Sequence, residues 1–340
     1  MHKIGVLTPI PGVRQLPLLE ESGDNDNRLF QDIPITDFSW FEAFRSSIEE
    51  SDFLLLPHLL GDLSKYPSYL PDAITTSKRT QKKLLVFTNQ DDPNPTALPS
   101  NCLIFRASAY RSTVGSNEIV IPAQIEDIGN SSGYDPLAKG ARPAVGFVGM
   151  AALPTARDRI RYVLKNYVLR SGIEREGLYF RRKALKALSR SSDVQLIAIL
   201  RSRFSGNRKT IEGSPEKARS LYIENIKTTL FTLAPRGAGN YSLRFYETLS
   251  LGRIPILIDT DMKLPFEDRI SYDDFIIRIP WKEINQLPDI IRTRFQNTTN
   301  EEFIEMQRKA RKVFAEYLYL PAFLKIAFSE LSITNYEAAH

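Results

Sequence analysis

Apolar residues fall into two patterns along the chain: short continuous runs, and longer stretches with helical spacing. Residues 3–9 (KIGVLTP), 52–57 (DFLLLP), 83–88 (KLLVFT), 102–106 (CLIFR) and 119–121 are short runs bounded by Pro, Asn or Asp, as buried strands are. Between the first two, residues 40–50 place Phe41, Phe44 and Ile48 at helical spacing, and the polar stretch 11–31 reads as a loop at a cleft. Residues 123–142 have linker composition, with Gly129, Gly133 and Gly140 among serines and asparagine. After them AVGFVG (144–149) repeats the opening pattern, a buried strand closing at a glycine. That restart predicts a second domain. Residues 174–190 read as a basic helix, 194–200 as a strand, and 300–317 and 321–331 as amphipathic helices. Strands alternating with helices predict an α/β protein of two Rossmann-like domains, residues 1–136 and 137–320. A terminal helix (321–340) is expected to return to the first domain.

The most structured signal is the run 228–259. It reads as a strand (229–234), a glycine-containing loop (235–241), a helix (243–251) and a second strand (254–259). Ser242 is an N-cap residue type and Gly252 is placed to end the helix. A loop with Gly237 and Gly239 before a helix N-terminus can hold an anion with backbone amides. Arg236 and Arg244 add positive charge, and Glu247 shares a helix face with Arg244. The set suits a diphosphate and a ribose; capping and a surface ion pair account for any single member equally well. Neither the dinucleotide fingerprint nor the P-loop pattern occurs.

Composition narrows the partners. The 340 residues are 42% hydrophobic and 25% charged, an ordinary globular balance that can bury two cores. No run is apolar enough to span a membrane, and the first residues do not form a convincing signal peptide. Residues 1–142 hold 13 Lys and Arg against 18 Asp and Glu, leaving 32 against 22 in the remainder, so the second half is basic and suits anionic ligands. The basic helix at 174–190 suits an anionic membrane surface, although packing on a sheet explains the same pattern. No nucleic-acid motif accompanies the charge. Cys102 stands alone, which excludes an intrachain disulfide and agrees with a reducing cytoplasm. His2, His58 and His340 lack zinc-ligand spacing, and Asp259-Thr260-Asp261 is read as a strand-end turn, so no metal is expected.

Several elements in fixed order carry a family resemblance: Leu233-Ala234-Pro235-Arg236-Gly237, Ser242-x-Arg244-x-x-Glu247, Gly252-Arg253-Ile254-Pro255-Ile256 and Leu264-Pro265-Phe266. This stretch resembles the C-terminal signature of exostosin-like glycosyltransferases; the strands at 51–57 and 84–92 resemble the family more loosely. The resemblance implies the GT-B architecture, two Rossmann-like domains facing across a cleft. It also implies inverting sugar transfer from a nucleotide-sugar donor, with a UDP-sugar first among donors, to a glycan or lipid-linked acceptor. Arg236, Gly237, Gly239, Ser242, Arg244, Glu247 and Arg201 would then form the donor site. The base would come from the first domain, with Asp91 or Asp92 ahead of His58; ordinary turns and packing account for these three as well. No cofactor is expected. Without an N-terminal anchor, a bacterial, cytoplasmic or membrane-peripheral enzyme of surface polysaccharide synthesis is expected. The alternative is a catalytically silent nucleotide-sugar-binding or assembly protein of the same fold.

Overall fold

The computed structural model describes residues 2–19, 36–88, 91–203 and 214–331, with the side chains of Thr36 and Asp37 excepted. Apolar β-branched and aromatic runs form two parallel sheets. The first contains β1 (Ile4–Val6), β2 (Arg45–Ser46), β3 (Phe53–Leu59), β4 (Lys83–Thr88), β5 (Cys102–Arg106) and β6 (Glu118–Val120), in the order β2-β1-β3-β4-β5-β6. The second contains β7 (Ala144–Met150), β8 (Gln195–Arg201), β9 (Phe231–Ala234), β10 (Ile254–Asp259) and β11 (Ile277–Pro280), in the order β11-β10-β9-β7-β8. All strand pairs within both sheets are parallel. These are the two Rossmann-like units that the strand restart at 144 predicts.

Helices join the strands. The first unit carries α1 (Tyr69–Thr80), whose chain reverses at Gln81 with φ 55°. A short helix, α2 (Ile128–Ser132), occupies the crossover. The second unit carries α3 (Ala156–Val163), α4 (Gly177–Ser189), α5 (Pro215–Lys227), α6 (Leu243–Ser250), α7 (Leu287–Asn297) and α8 (Asn300–Val313). Much of the stretch predicted as a helix at 40–50 is different: a 3-10 helix runs over Thr36–Ala43 and the chain then enters β2. Phe38, Phe41 and Phe44 are all buried, and their spacing of three matches the three-residue turn of a 3-10 helix. Most of the loop predicted at 11–31 lies outside the described residues.

The last helix, α9 (Leu320–Ser329), packs on the first sheet. Phe323, Leu324 and Phe328 share a core with Ile4, Phe53, Phe87 and Phe105. The Phe328 ring lies 5.8 Å from those of Phe41 and Phe105. Between α8 and α9 a π-helical turn, Phe314–Leu318, redirects the chain while burying Phe314 and Leu318.

The loops beyond the C-terminal ends of the strands from the two sheets meet. Those following β4 and β5 touch those following β9 and β10. Asn240 donates its amide to Ser108 Oγ at 2.9 Å and its side-chain NH2 to the Ala109 carbonyl at 3.0 Å. Arg111 reaches Asp259 at 3.2 Å, Asp261 at 3.6 Å and Glu267 at 3.4 Å. Ligands in parallel sheets bind beyond these strand ends, so the contacts frame the candidate site.

Candidate functional site: an arginine cluster at the strand ends

The end of β7 is gripped by three guanidinium groups. Arg244, in the first turn of α6, donates from Nη2 to the Val148 carbonyl at 2.5 Å and lies 4.5 Å over the Phe147 ring. From α4, Arg181 donates to the Met150 carbonyl at 2.6 Å and Arg182 donates to the Ala151 carbonyl. Gly149 leaves the room this requires: a Cβ there would stand 2.8 Å from Arg244 Nη2. The glycine that closes the repeated strand pattern therefore admits an arginine.

Arg236 is buried at the start of the loop after β9. Its Nη1 donates to the Ile173 carbonyl at 3.1 Å and to Asn240 Oδ1 at 3.5 Å, and its Nη2 to the Ala238 carbonyl at 3.4 Å. All of these are neutral acceptors. The buried Nε atoms of Arg181, Arg236 and Arg244 have no hydrogen-bond partner. Among the described residues, none of the three has a carboxylate within ion-pair distance. Burial, followed by repulsion from Arg244, pushes the Arg181 guanidinium down to about 9, still protonated at neutral pH. Buried guanidinium N–H groups left unmet, with no carboxylate beside them among the described residues, suit an anion.

Glu247 does not pair with Arg244. Its Oε1 accepts from Arg219 Nη1 at 2.8 Å, and its Oε2 accepts from the Tyr222 hydroxyl; both partners come from α5. Burial and then the Glu247 charge raise Tyr222 well above the usual phenol range, so it stays a donor. A carboxylate has about four acceptor positions, so Glu247 retains capacity for a sugar hydroxyl.

The glycine loop serves the junction as much as the site. The Gly237 amide is used by the Tyr241 carbonyl at 2.9 Å, and the Asn240 amide by Ser108. A Cβ on Gly239 would lie 2.9 Å from both the Asp91 carbonyl oxygen and Ser108 Oγ, so this glycine permits the two halves to approach. Ser242 occupies the N-cap of α6 with extended backbone, but its hydroxyl makes no capping hydrogen bond. Arg201 lies at the end of β8, in register with Met150; its Nη2 donates to the Ala218 carbonyl at 3.0 Å and its carbonyl accepts from the Ala151 amide at 3.0 Å.

The base candidates separate. Asp91 is exposed and faces the loop, its Oδ1 accepting from the Tyr241 hydroxyl at 3.1 Å. Asp92 Oδ1 instead accepts from the Asn94 amide at 3.0 Å and the Asn94 side chain at 2.8 Å, an Asx-type turn. His58 is fully buried; Nε2 accepts from the Ile10 amide and Nδ1 lies on the Arg14 carbonyl, both at 2.8 Å. With both nitrogens held by backbone, His58 has no atom to offer a substrate.

Asp259 and Asp261 are more than a strand-end turn. Asp259 pairs with Arg111 and with Arg278, each at 3.2 Å, while Asp261 accepts from the Ser112 amide at 3.1 Å and from its hydroxyl. They clasp the two halves together. Among the described residues no group of His, Cys, Asp and Glu is arranged to hold a metal ion. The basic helix α4 buries Tyr179, Phe180, Ala184, Leu185 and Leu188, so it packs on its own sheet and is not a lipid-facing helix.

Sequence reasoning weighed a lipid surface against packing on the sheet for the helix of Arg181 and Arg182, without assigning either arginine to the site, and missed Arg219 and Tyr222. Only the last pair left a local trace, an i, i+3 spacing that puts both on one side of α5.

Two parallel α/β units meeting at strand-end loops, with arginines in the second that pair with no carboxylate among the described residues, define a protein of the Rossmann-pair class. Residues 169–293 match the Exostosin GT47 domain. That match covers little more than a third of the chain. It is similar to an exostosin-1 homologue of Caenorhabditis elegans, 30% identical over 103 residues, 30% of this chain and 26% of that protein. It also resembles Drosophila melanogaster exostosin-1, 31% identical over 116 residues, 33% of this chain and 15% of that protein. A probable beta-1,4-xylosyltransferase of Arabidopsis thaliana, IRX10L, is 33% identical over 72 residues, 21% of this chain and 17% of that protein. The chain thus matches about a quarter or less of the length of these relatives. Among solved structures, TarM aligns over 85% of this chain and 56% of that one, at 12% identity with a TM-score of 0.41.

Proposed function

We propose that the protein is a glycosyltransferase that moves a sugar from a nucleoside diphosphate sugar to a hydroxyl of a glycan or lipid-linked acceptor. The observation that carries this reading is the group of three guanidinium Nε atoms, on Arg181, Arg236 and Arg244, buried without partners beside the strand ends. Departure of a nucleoside diphosphate develops negative charge, and preformed cationic donors stabilise it where it appears. Arg244 and Arg236 take the diphosphate, with Arg181 beside them, and Glu247 accepts from the ribose. The guanidinium groups supply the neutralising charge, so the reaction as proposed needs no divalent metal.

The acceptor proton is assigned to Asp91. Inversion at the anomeric carbon requires one base, and of the three carboxylate and imidazole candidates only Asp91 combines exposure with contact to the loop after β9. A UDP-sugar donor and a role in surface polysaccharide synthesis belong to the same proposal, supported by the exostosin GT47 match over residues 169–293.

Calorimetry with UDP, GDP, dTDP, CMP and ADP, with magnesium and with chelator, tests the donor site. One diphosphate is expected to bind without magnesium, and Arg236→Ala and Arg244→Met are each expected to weaken it at least tenfold, the loss of one charge-assisted hydrogen bond of about 1.5–3 kcal/mol. Asp91→Asn is expected to bind the diphosphate normally while transfer is abolished. Binding unaffected by either arginine substitution refutes the site.

A further inference from the structure

Between β7 and α4 the chain makes an excursion that none of the roles above uses. Helix α3 buries no residue, and the π-helical turn that extends it, Leu164–Val168, buries only Asn166. Tyr162 and Asn166, four residues apart, face the protein: Arg182 lies 5.5 Å over the Tyr162 ring, and Asn166 Oδ1 accepts from the Glu176 amide at 2.9 Å. Ile160, Val163 and Leu164 lie on another side of the helix, and Tyr167, next to them at i+7, leans its ring edge on the buried Tyr179 at 5.6 Å. These, with Val168 and Leu169, are 47% to 69% exposed, and they form the densest group of exposed large hydrophobics in the described residues. An uninterrupted apolar face of this kind marks an interaction surface.

Charge identifies what it meets. Residues 156–170 contain Arg157, Arg159, Arg161, Lys165 and Arg170 against a single acid, Asp158. Asp158 is taken up in the capping box with Thr155, and Lys165 pairs with Glu176 at 2.8 Å. Arg157, Arg159, Arg161 and Arg170 have no carboxylate within ion-pair distance among the described residues. A short helix with exposed Ile, Val, Leu and Tyr flanked by unpaired arginines has the composition of an interfacial helix, apolar face in the acyl boundary and cations at the headgroups. A soluble protein partner for the same stripe would need a matching acidic rim; an anionic bilayer supplies negative charge on all sides. We propose that the segment 156–170 is a membrane-docking element that seats the protein on an anionic lipid surface. Because α3 begins shortly after the carbonyls gripped by Arg244 and Arg181, a bilayer on this face lies beside the arginine site.

The test is co-sedimentation of the full chain with phosphatidylcholine vesicles, with and without phosphatidylglycerol. The protein is expected to partition onto the anionic vesicles, weakly onto pure phosphatidylcholine, and to be released by salt. Replacing three arginines together (R157Q/R159Q/R161Q) is expected to lower partitioning about a hundredfold, since each cation near an anionic surface contributes about 1 kcal/mol. Ile160→Ser with Leu164→Ser is expected to lower it at least tenfold, from about 0.8 kcal/mol per buried methylene. Since α3 buries nothing, both variants should melt like the parent, and calorimetric binding of a nucleoside diphosphate serves as an independent readout of the cleft. Equal binding to both vesicle types, or partitioning unchanged in both variants, overturns the proposal. So does self-association abolished by the serine pair in a protein that ignores vesicles, which would assign the face to a second copy.

Discussion

Replacing Arg181 by methionine separates an anion site from a merely structural arginine, because the two readings differ in sign. Methionine keeps much of the aliphatic stem and removes the charge. Pushing the Arg181 guanidinium down to about 9 corresponds to at most about 5 kcal/mol against the charged form. The side chain is only part-buried by accessibility, and solvent screening reduces this to about 2–3 kcal/mol. Against the relief stands the lost hydrogen bond to the Met150 carbonyl, about 1 kcal/mol. The ligand-free variant should therefore be more stable than the parent by about 1–2 kcal/mol, which for a chain of this size raises Tm by about 1–3 °C. The group is a cation with a depressed folded-state value, so its penalty is fully present below about pH 9 and fades as pH rises from there toward the ordinary guanidinium range. The comparison therefore belongs near neutral pH. The same substitution should weaken nucleoside diphosphate binding by about ten- to a hundredfold, the loss of one charge-assisted contact. Differential scanning calorimetry with and without ligand reads both effects together. A variant that melts lower without ligand while keeping the parent's ligand response would refute the reasoning, since Arg181 would then be held for the fold alone.

Three further outcomes are expected. Arg106 and Glu118 form an ion pair of 2.6 Å with side chains 2% and 1% exposed, so Arg106→Met alone should cost about 3–5 kcal/mol in urea unfolding, and adding Glu118→Leu should recover much of it. Burial raises Glu118, but the Thr96 and Gly115 amides and Arg106 outweigh it and hold the carboxyl below its usual range; the parent should lose this stability as pH falls below about 4, and the double variant should not. Gly177→Ala should weaken diphosphate binding in the same calorimetric assay, because its Cβ would stand 2.1 Å from the Gly237 carbonyl oxygen and force the loop after β9 to move. Arg111→Ala should loosen the two halves, seen as a larger radius of gyration in solution scattering, while α9 still packs on the first sheet.

The sheets were legible because parallel strands buried on both faces announce themselves as apolar runs; residues 83–88, 102–106 and 254–259 coincide with β4, β5 and β10. Strand β11 escaped notice because Ile277–Pro280 is short and interrupted by Arg278, which is turned to Asp259 and Asp273. The helix predicted at 40–50 failed because a three-residue phenylalanine spacing and a four-residue one overlap in so short a window. The site divided in the same way. Arg236, Arg244 and Glu247 sit within one strand-loop-helix unit, where local spacing carries information. Arg181, Arg219 and Tyr222 arrive from α4 and α5, and only the crossover topology brings them to β7. The serine at 242 shows the limit of residue type alone: the cap position is right and the capping bond is not made.

The position of α9 has a consequence for how the chain is made. Phe328 closes an aromatic cluster whose other members, Phe41, Phe44, Phe87 and Phe105, are synthesised long before it. At about 5–20 residues per second, the first sheet waits on the order of ten seconds or more for roughly two hundred further residues to appear. Throughout that interval one apolar face of the nascent domain lies open to solvent. Chain made without α9 would keep that face exposed permanently, so truncation before Leu320 removes a layer of the first core rather than a dispensable tail.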